Sequence, residues 1–364
     1  MEKSSALKYA KAACDTMIRK FAPNELPPVH KFHYHQGVFL SGMLNTYNVC
    51  KEEKYFEYMK AWVDNIIWED GSIHDFDRRM LDDIQPGILL FPLFERTGDK
   101  KYEIALKQLL GVLKDWKRND YGGFWHKEWH PNQMWLDGLY MAGPIQAKYA
   151  AVYNEPQYLE TVITQILLMK DHLLSEETGL LYHAWDACKQ MDWADPVTGV
   201  SHEFWGRAMG WYVVALLDIL EVMPKTHDRY NEIAELEKSL LESLIKYQDS
   251  ESGMWYQVID KGDHSDNWLE TSCTALFSYS IARAVRFGIL DKKYMDNAWK
   301  AFEGIIKHSV TFNGDDMQLD YICTGLDVTV YDIYVHAATG INDLHGMGAF
   351  LLMCAELAMQ RLCD

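Results

Sequence analysis

Chemically useful side chains gather at the starts of six strongly apolar stretches of the sequence. These stretches begin HYHQGVFL, LDDIQPGILLF, MWLDGLYMAGP, FWGRAMGWY, NWLETSCTALF and NDLHGMGAF. Their openings supply carboxylates for proton transfer, a guanidinium for holding an anion, and aromatic rings for packing on a ligand. The side chains are His33, Tyr34, His35, Gln36, Asp82, Asp83, Trp135, Asp137, Trp205, Arg207, Trp211, Trp268, Glu270, Asn342, Asp343 and His345.

Taken singly, most of these residues have ordinary explanations. An aspartate that opens a helix usually caps it, and this holds for Asp82 and Asp83. Asp137 stands between aromatic neighbours and directly before Gly138, where capping is less obvious. The prediction of a site therefore depends on whether the six openings meet in space.

If the six openings meet in space, their side chains suit an acidic saccharide as the ligand. Arg207 can hold a carboxylate through a bidentate pair, and His126 and Lys127 of the GGFWHK segment add positive charge. Helix N-termini favour anions in the same way. Indole rings suit the flat faces of sugars.

The elements that must position these residues follow a repeat. Five segments place a tyrosine after a short polar turn, at Tyr55, Tyr102, Tyr158, Tyr230 and Tyr294, and then continue with apolar residues at i, i+3, i+4 and i+7. This spacing predicts amphipathic helices with one buried stripe. Gly-aromatic segments such as YGGFWHKEWH and TGLLYHAWD follow most of them and predict loops or short strand-like pieces.

Six apolar helices that alternate with amphipathic ones form six helical hairpins. Closing the hairpins into a ring gives an all-α (α/α)6 toroid, with the apolar helices inside and their polar openings at one mouth. We expect residues 1–364 to form this single catalytic domain, because no linker or composition change marks a boundary. An open solenoid is the alternative, but its units would be more uniform and capped at the ends.

Composition excludes several classes of protein. A formal net charge of −18 argues against a nucleic-acid partner. No apolar run is long enough to span a membrane and no signal peptide is apparent, so we expect a cytoplasmic protein that is a monomer or weak homo-oligomer. Neither HExxH nor CxxC occurs, so we expect no metal and no cofactor. The seven cysteines, at positions 14, 50, 188, 273, 323, 354 and 363, are scattered and fit reduced thiols.

Nearly the whole chain, from about residue 30 to 350, resembles glycoside hydrolase family 105, the unsaturated rhamnogalacturonyl hydrolases. The stretches that carry the resemblance include LDDIQPGILLFPLFERTG, GGFWHKEWHPNQMWLDGLYMAGP, FWGRAMGWY and NDLHGMGAF. It implies an (α/α)6 barrel that needs no metal and removes the 4,5-unsaturated galacturonyl residue left by pectin and rhamnogalacturonan lyases. Ala208 and Met209 depart from the Gly-Asn pair that is common in the family, which bears on the preferred leaving sugar.

The resemblance also implies roles for individual residues. Asp137 matches the catalytic aspartate, and Asp82 matches the second conserved acid. The positions that match substrate contacts are Tyr34, His126, Lys127, Trp135, His183, Trp205, Arg207 and Trp211. The resemblance assigns no role to Asp83, Glu270 or His345.

The implied reaction is hydration of an enol ether. Protonated Asp137 gives its proton to C4, water activated by the same carboxylate adds at C5, and the resulting hemiketal opens and releases the next sugar. This use of Asp137 requires a raised pKa, for which Trp135, Tyr140 and Asp82 are the expected causes.

Three other functions stay open from the sequence. An unsaturated glucuronyl hydrolase for glycosaminoglycan-type products shares the fold and chemistry. A sugar epimerase on the same barrel needs a histidine pair as acid and base. The third is a non-catalytic saccharide-binding or scaffold protein.

Overall fold

The computed structural model describes residues 5–360, which are predominantly helical. Six helices form an inner ring: α2 (Tyr34–Cys50), α4 (Leu90–Thr97), α6 (Leu136–Tyr153), α8 (Gly206–Val222), α10 (Thr271–Arg286) and α13 (Leu344–Met359). Six more pack outside them: α1 (Ser5–Lys20), α3 (Glu53–Ile66), α5 (Lys100–Lys114), α7 (Pro156–Leu173), α9 (Tyr230–Lys246) and α11 (Met295–Ser309). The predicted (α/α)6 toroid is confirmed.

The five tyrosine-led segments become α3, α5, α7, α9 and α11, as predicted. The N-terminal helix α1 supplies the sixth outer helix and packs against α13 and α2. The last inner helix, α13, packs along the first, α2, so the ring is closed and the open solenoid is excluded.

Short antiparallel strands occupy the connections between helices. They pair as β1 (Gln133–Trp135) with β2 (Ala184–Asp186), β3 (Trp255–Tyr256) with β4 (Leu269–Glu270), β5 (Val310–Asn313) with β6 (Asp316–Leu319), and β7 (Ile322–Cys323) with β8 (Thr339–Gly340). A five-residue helix, α12 (Tyr331–Val335), lies between β7 and β8. The strands β1 to β4 tie the connections together beside the starts of α6 and α10.

The second inner helix differs from the expected continuous helix. Its first part consists of two 3₁₀ turns, Leu81–Asp83 and Gln85–Leu89, before α4 begins. Pro86 near the start of the second turn lacks an N–H, and Gly87 packs against Leu109 and Ile145. The turns leave Asp82 in a short loop-like element at the mouth of the barrel.

Two further expectations concern membranes and cysteines. Among the described helices, none is long and apolar enough to cross a membrane. The six cysteines between residues 5 and 360 are free thiols, as their spacing predicted, and Cys363 lies outside the described residues.

Glycines allow the ring to close. A Cβ on Gly348 of α13 would lie 2.5 Å from the backbone carbon of Val38 and 2.6 Å from the backbone nitrogen of Phe39 on α2. A Cβ on Gly42 would lie 2.7 Å from the carbonyl oxygen of Gly348. The two helices therefore approach each other through backbone contacts that no larger residue permits.

Glycine-to-alanine substitutions at Gly348 and Gly111 should have opposite effects on stability. Gly348→Ala should lower the free energy of unfolding by about 1–3 kcal/mol, because backbone cannot move aside as a side chain can. Gly111→Ala in α5 should raise it by up to about 1 kcal/mol, because an added Cβ there meets no atom of residues 5–360 within 4 Å other than the backbone of its own helix. Urea unfolding of both variants measures the difference, and a Gly348→Ala protein as stable as the wild type would contradict the close packing.

Candidate active site

The N-terminal ends of the inner helices bring the predicted site residues together. Tyr34 is the first residue of α2, Asp137 the second of α6, and Arg207 the second of α8. Trp135 in β1 immediately precedes α6, and Trp205 immediately precedes α8. The mouth of the barrel therefore holds these side chains on rigid helix ends.

Asp137 is held by a histidine from a different connection. The Asp137 Oδ2 atom lies 3.0 Å from His183 Nε2, and no hydrogen bond from the described residues reaches Oδ1. His183 is fully buried, whereas 12% of the Asp137 side chain is exposed. The carboxyl group thus has one oxygen fixed by the protein and one that is available to a ligand.

The expected rise in the pKa of Asp137 is wrong for the protein without ligand. Burial raises this pKa, but the hydrogen bond that His183 donates to the carboxylate, together with the neighbouring His183, His126 and Arg207 side chains, brings it below its ordinary value. The apolar setting is present, yet the hydrogen bond and these neighbours outweigh it. Asp137 is therefore ionised at neutral pH.

Asp82 is paired with His126 and Lys127 of the GGFWHK segment. Its Oδ1 lies 3.2 Å from His126 Nε2 and its Oδ2 lies 4.0 Å from Lys127 Nζ. Burial opposes ionisation, but His126, Lys127 and His33 together hold the pKa of Asp82 well below its usual range. Asp82 is ionised at neutral pH and cannot supply a proton there.

The tryptophans were expected to offer open faces to a sugar, and the structure places them differently. Trp135 stacks on His126 at 4.4 Å between ring centroids, and Trp211 stacks on Tyr140 at 4.7 Å. Trp205 stacks on Tyr334 at 5.5 Å, with Arg207 against its ring at 4.4 Å. Because all three indoles are buried, they form walls that fix the polar groups.

Tyr34 completes the wall on the side of α2. Its ring meets Trp211 edge-on at 6.5 Å. Burial raises the pKa of its hydroxyl far above the ordinary value, although Arg207 opposes that rise. The phenol is therefore neutral and can donate a hydrogen bond to a ligand.

Arg207 is buried without an acidic partner. Nη1 donates to the carbonyl oxygen of Cys323 and lies 3.1 Å from His345 Nε2, and Nη2 donates to the carbonyl oxygen of Thr324 at 2.8 Å. None of the described hydrogen bonds uses Nε–H, and Arg207 forms no ion pair with any carboxylate in residues 5–360. A guanidinium in this setting has no ion-pair partner among the described residues, and a ligand carboxylate can take that place.

Two acids that could neutralise Arg207, Asp82 and Glu203, pair with other side chains. Asp82 pairs with His126 and Lys127, and Glu203 pairs with Lys261. Arg207 therefore does not neutralise Asp82 or Glu203. Burial opposes its charge, while Tyr34, Glu270 and Asp137 raise its pKa from a distance without forming an ion pair.

A long connection covers the site, and sequence reasoning missed its contribution. We call residues 322–340, which run from β7 through α12 to β8, the covering loop. Asp327 bridges Lys127 Nζ at 2.7 Å and His130 Nε2 at 3.1 Å. Tyr334 is fully buried, and its hydroxyl lies 2.6 Å from His183 Nδ1. The length of this connection could have indicated its importance in the sequence. More than 30 residues separate the last outer helix from the last inner helix, and connections of this length are usually functional.

Two acids without an assigned role have structural partners. Asp83 lies 2.6 Å from His33 Nδ1 and accepts the Asp77 N–H at 2.9 Å. Glu270 caps α10 and accepts the Cys323 N–H at 2.9 Å, so it anchors one end of the covering loop.

His345 has a place in the Arg207 environment. Its Nδ1 lies 2.8 Å from Asp343 Oδ1, while its Nε2 faces Arg207. Within residues 5–360, His35, Asp343 and His345 are also the one group of three or more His, Cys, Asp or Glu residues whose potential metal-ligand atoms all lie within 4.8 Å of one another. The expectation that no metal takes part stays a prediction.

Comparison with known proteins identifies the family. Residues 9–361 match the family model described as Glycosyl Hydrolase Family 88. The chain belongs to glycosyl hydrolase family 88. The prediction that it is a glycoside hydrolase is confirmed at the level of the family.

Individual relatives agree with this assignment. A family 105 glycoside hydrolase from C. acetobutylicum ATCC 824 superposes with a TM-score of 0.91 at 33% identity, covering 97% of this chain and 99% of the other. The unsaturated rhamnogalacturonyl hydrolase YesR of Bacillus subtilis is 29% identical over 73% of each chain. A protein of Agrobacterium fabrum is 33% identical over 41% of this chain and 63% of its own length. The resemblance to family 105 is thereby confirmed.

Arg207→Ala tests whether the guanidinium serves a ligand. Its kcat/KM for an unsaturated uronate should fall at least about thirtyfold, because one member of a buried charge pair is removed. The free energy of unfolding should fall less than it does when an ion-paired arginine is removed, because loss of a buried charge without an ion-pair partner offsets part of the lost hydrogen bonding. Steady-state kinetics and urea unfolding measure the two effects.

Arg283→Ala is the matched control. Arg283 is equally buried, but it pairs with Asp218 and Glu221. Its loss should destabilise the fold by about 3–5 kcal/mol and leave KM unchanged. An Arg207→Ala protein that is destabilised like Arg283→Ala and retains its kcat/KM would show that Arg207 has only a structural role.

Proposed function

We propose that this protein removes the 4,5-unsaturated galacturonyl residue from the non-reducing end of rhamnogalacturonan and pectin lyase products. The observation that carries the proposal is Arg207, a buried guanidinium without an acidic partner in the described chain, in the same cluster as Asp137. Such a group favours a substrate that brings its own carboxylate. The similarity to YesR, named for action on unsaturated rhamnogalacturonyl substrates, supports the same substrate class.

Substrate binding also counteracts the groups that lower the pKa of Asp137. A carboxylate on Arg207 cancels one of the positive charges that depress this pKa, and displacement of water strengthens the effect of burial. The pKa of Asp137 then rises towards the range in which the group can donate a proton. The substrate thus helps to prepare its own general acid.

The two carboxylates take different parts in the reaction. Asp137 protonates C4 of the double bond and, once ionised, accepts a proton from the water that adds at C5. Asp82 stays ionised beside His126 and Lys127, so its negative charge stabilises the positive charge that develops on the sugar ring. The hemiketal that forms opens without further help and releases the next sugar.

Loss of absorbance near 235 nm, which reports the conjugated double bond, tests the proposal on two lyase-generated disaccharides. We expect turnover of the rhamnogalacturonan product. Faster turnover of a glycosaminoglycan product would instead favour an unsaturated glucuronyl hydrolase. An epimerase or a binding protein would consume neither chromophore.

Asp137→Asn should reduce kcat by at least about 10²–10⁴-fold while substrate binding persists, because the amide keeps the shape and cannot carry the proton. Asp218→Asn is the control, since Asp218 is a carboxylate near the opposite end of α8 that pairs with Arg283. Its kcat should match the wild type. If Asp137→Asn stays within about tenfold of the wild-type rate, Asp137 is not the general acid.

A further inference from the structure

Three groups form a hydrogen-bonded chain that ends on Asp137. The Thr329 N–H donates to Tyr334 Oη at 3.1 Å, Tyr334 Oη lies 2.6 Å from His183 Nδ1, and His183 Nε2 lies 3.0 Å from Asp137 Oδ2. Tyr334 and His183 are both fully buried. Bulk water therefore cannot reach Tyr334 or His183 and replace a hydrogen-bond partner of either residue.

The protons in the chain can be placed by counting donors and acceptors. A backbone N–H only donates, so Tyr334 Oη accepts from Thr329. The Tyr334 hydroxyl proton then needs an acceptor, and His183 Nδ1 is the only acceptor that the described residues give it. A neutral imidazole that accepts at Nδ1 carries its proton at Nε2, which is the nitrogen that faces Asp137.

The charges around the chain agree with this arrangement. Burial lowers the pKa of His183, against the opposing effect of Asp137, so the imidazole is neutral at neutral pH. Burial raises the pKa of Tyr334 far above its ordinary value, so the phenol keeps its proton. The other titratable groups that face these residues are His126, Arg207, Glu203 and Cys323.

We propose that Tyr334 is a positioning residue that holds His183 in its Nε2–H form and thereby confines the catalytic proton of Asp137 to Oδ1. The Oδ2 atom accepts the hydrogen bond from His183, so only Oδ1 can carry the proton that goes to the substrate. The inference deepens the proposed function and rests on it for the role of Asp137. It also gives the covering loop a part in catalysis, because Tyr334 reaches the site from α12.

The stacking of Tyr334 on Trp205 supports a fixed hydroxyl. The two rings lie 5.5 Å apart at 27°, and Gln257 Nε2 donates to the Tyr334 carbonyl oxygen at 3.1 Å. Ring and backbone are thus held independently of the hydroxyl. Tyr334→Phe removes the donor to His183 and retains these contacts.

The first measurement is the tautomer of His183. Two-bond ¹H–¹⁵N correlation spectra of protein labelled with ¹⁵N-histidine, with His183 assigned by His183→Gln, report which nitrogen carries the proton. The wild-type protein at pH 7 should show Nε2–H alone, and Tyr334→Phe should show a mixture of the two forms. An Nδ1–H form in the wild type, or an unchanged form in Tyr334→Phe, would overturn the proposal.

The second measurement is kinetic. Tyr334→Phe should lower kcat about 10–100-fold, since a misplaced tautomer impairs proton transfer, and should leave KM within about threefold. Its pH–rate profile should also shift, because the hydrogen bond that holds Asp137 Oδ2 weakens. A Tyr334→Phe protein with wild-type kcat and an unshifted profile would overturn the positioning role even if the tautomer changes.

Tyr212→Phe is the control variant. Tyr212 is also fully buried, but its hydroxyl donates to the carbonyl oxygen of Ile166 at 3.1 Å, away from the site. It should change neither the His183 spectrum nor kcat. Failure of the proposed function itself has a different signature, in which the wild-type protein consumes no unsaturated substrate while the His183 spectrum still shows Nε2–H.

Discussion

A buried guanidinium with no ion-pair partner among residues 5–360 is the constraint on which the site depends. Arg207 is 1% exposed and is held by two backbone carbonyl oxygens and a histidine ring. Neutral acceptors keep the cation in place but do not cancel its charge. The start of α8 fixes its backbone, and the covering loop supplies both carbonyls. The loop therefore serves the electrostatics of the site as well as shielding it.

Local charge explains how a strongly acidic protein can bind an anion. The chain carries a formal charge of −18, yet Asp82 is paired with His126 and Lys127, and Asp327 with Lys127 and His130. Exposed charges are screened beyond about 8 Å at physiological salt, whereas buried contacts are screened much less. The surroundings of Asp137 keep it ionised. In the proposed function, the substrate carboxylate bound by Arg207 also raises the pKa of Asp137, so one contact serves both recognition and activation.

Sequence patterns were sufficient for the ring but not for the details of the site. Apolar openings and the tyrosine repeat identify all six inner helices and five of the outer ones, because burial imposes a periodic pattern on a helix. Tyr334 was missed because α12 has only five residues and its contact with His183 joins positions 151 residues apart. The lowering of the Asp137 pKa was not predicted for a similar reason. The sequence indicates that Asp137 is buried, but its contact with His183 exists only in the folded protein.

The role of Arg207 as the group that binds the substrate carboxylate is tested most directly by changing the charge of the substrate instead of the protein. The unsaturated disaccharide and its methyl ester differ in the carboxylate that Arg207 is proposed to hold, and both contain the double bond that absorbs near 235 nm. If Arg207 holds the substrate carboxylate, kcat/KM for the ester is at least about thirtyfold lower than for the acid, which corresponds to about 2 kcal/mol. This difference should disappear in Arg207→Ala. Equal kcat/KM values for acid and ester in the wild-type protein would contradict this role of Arg207.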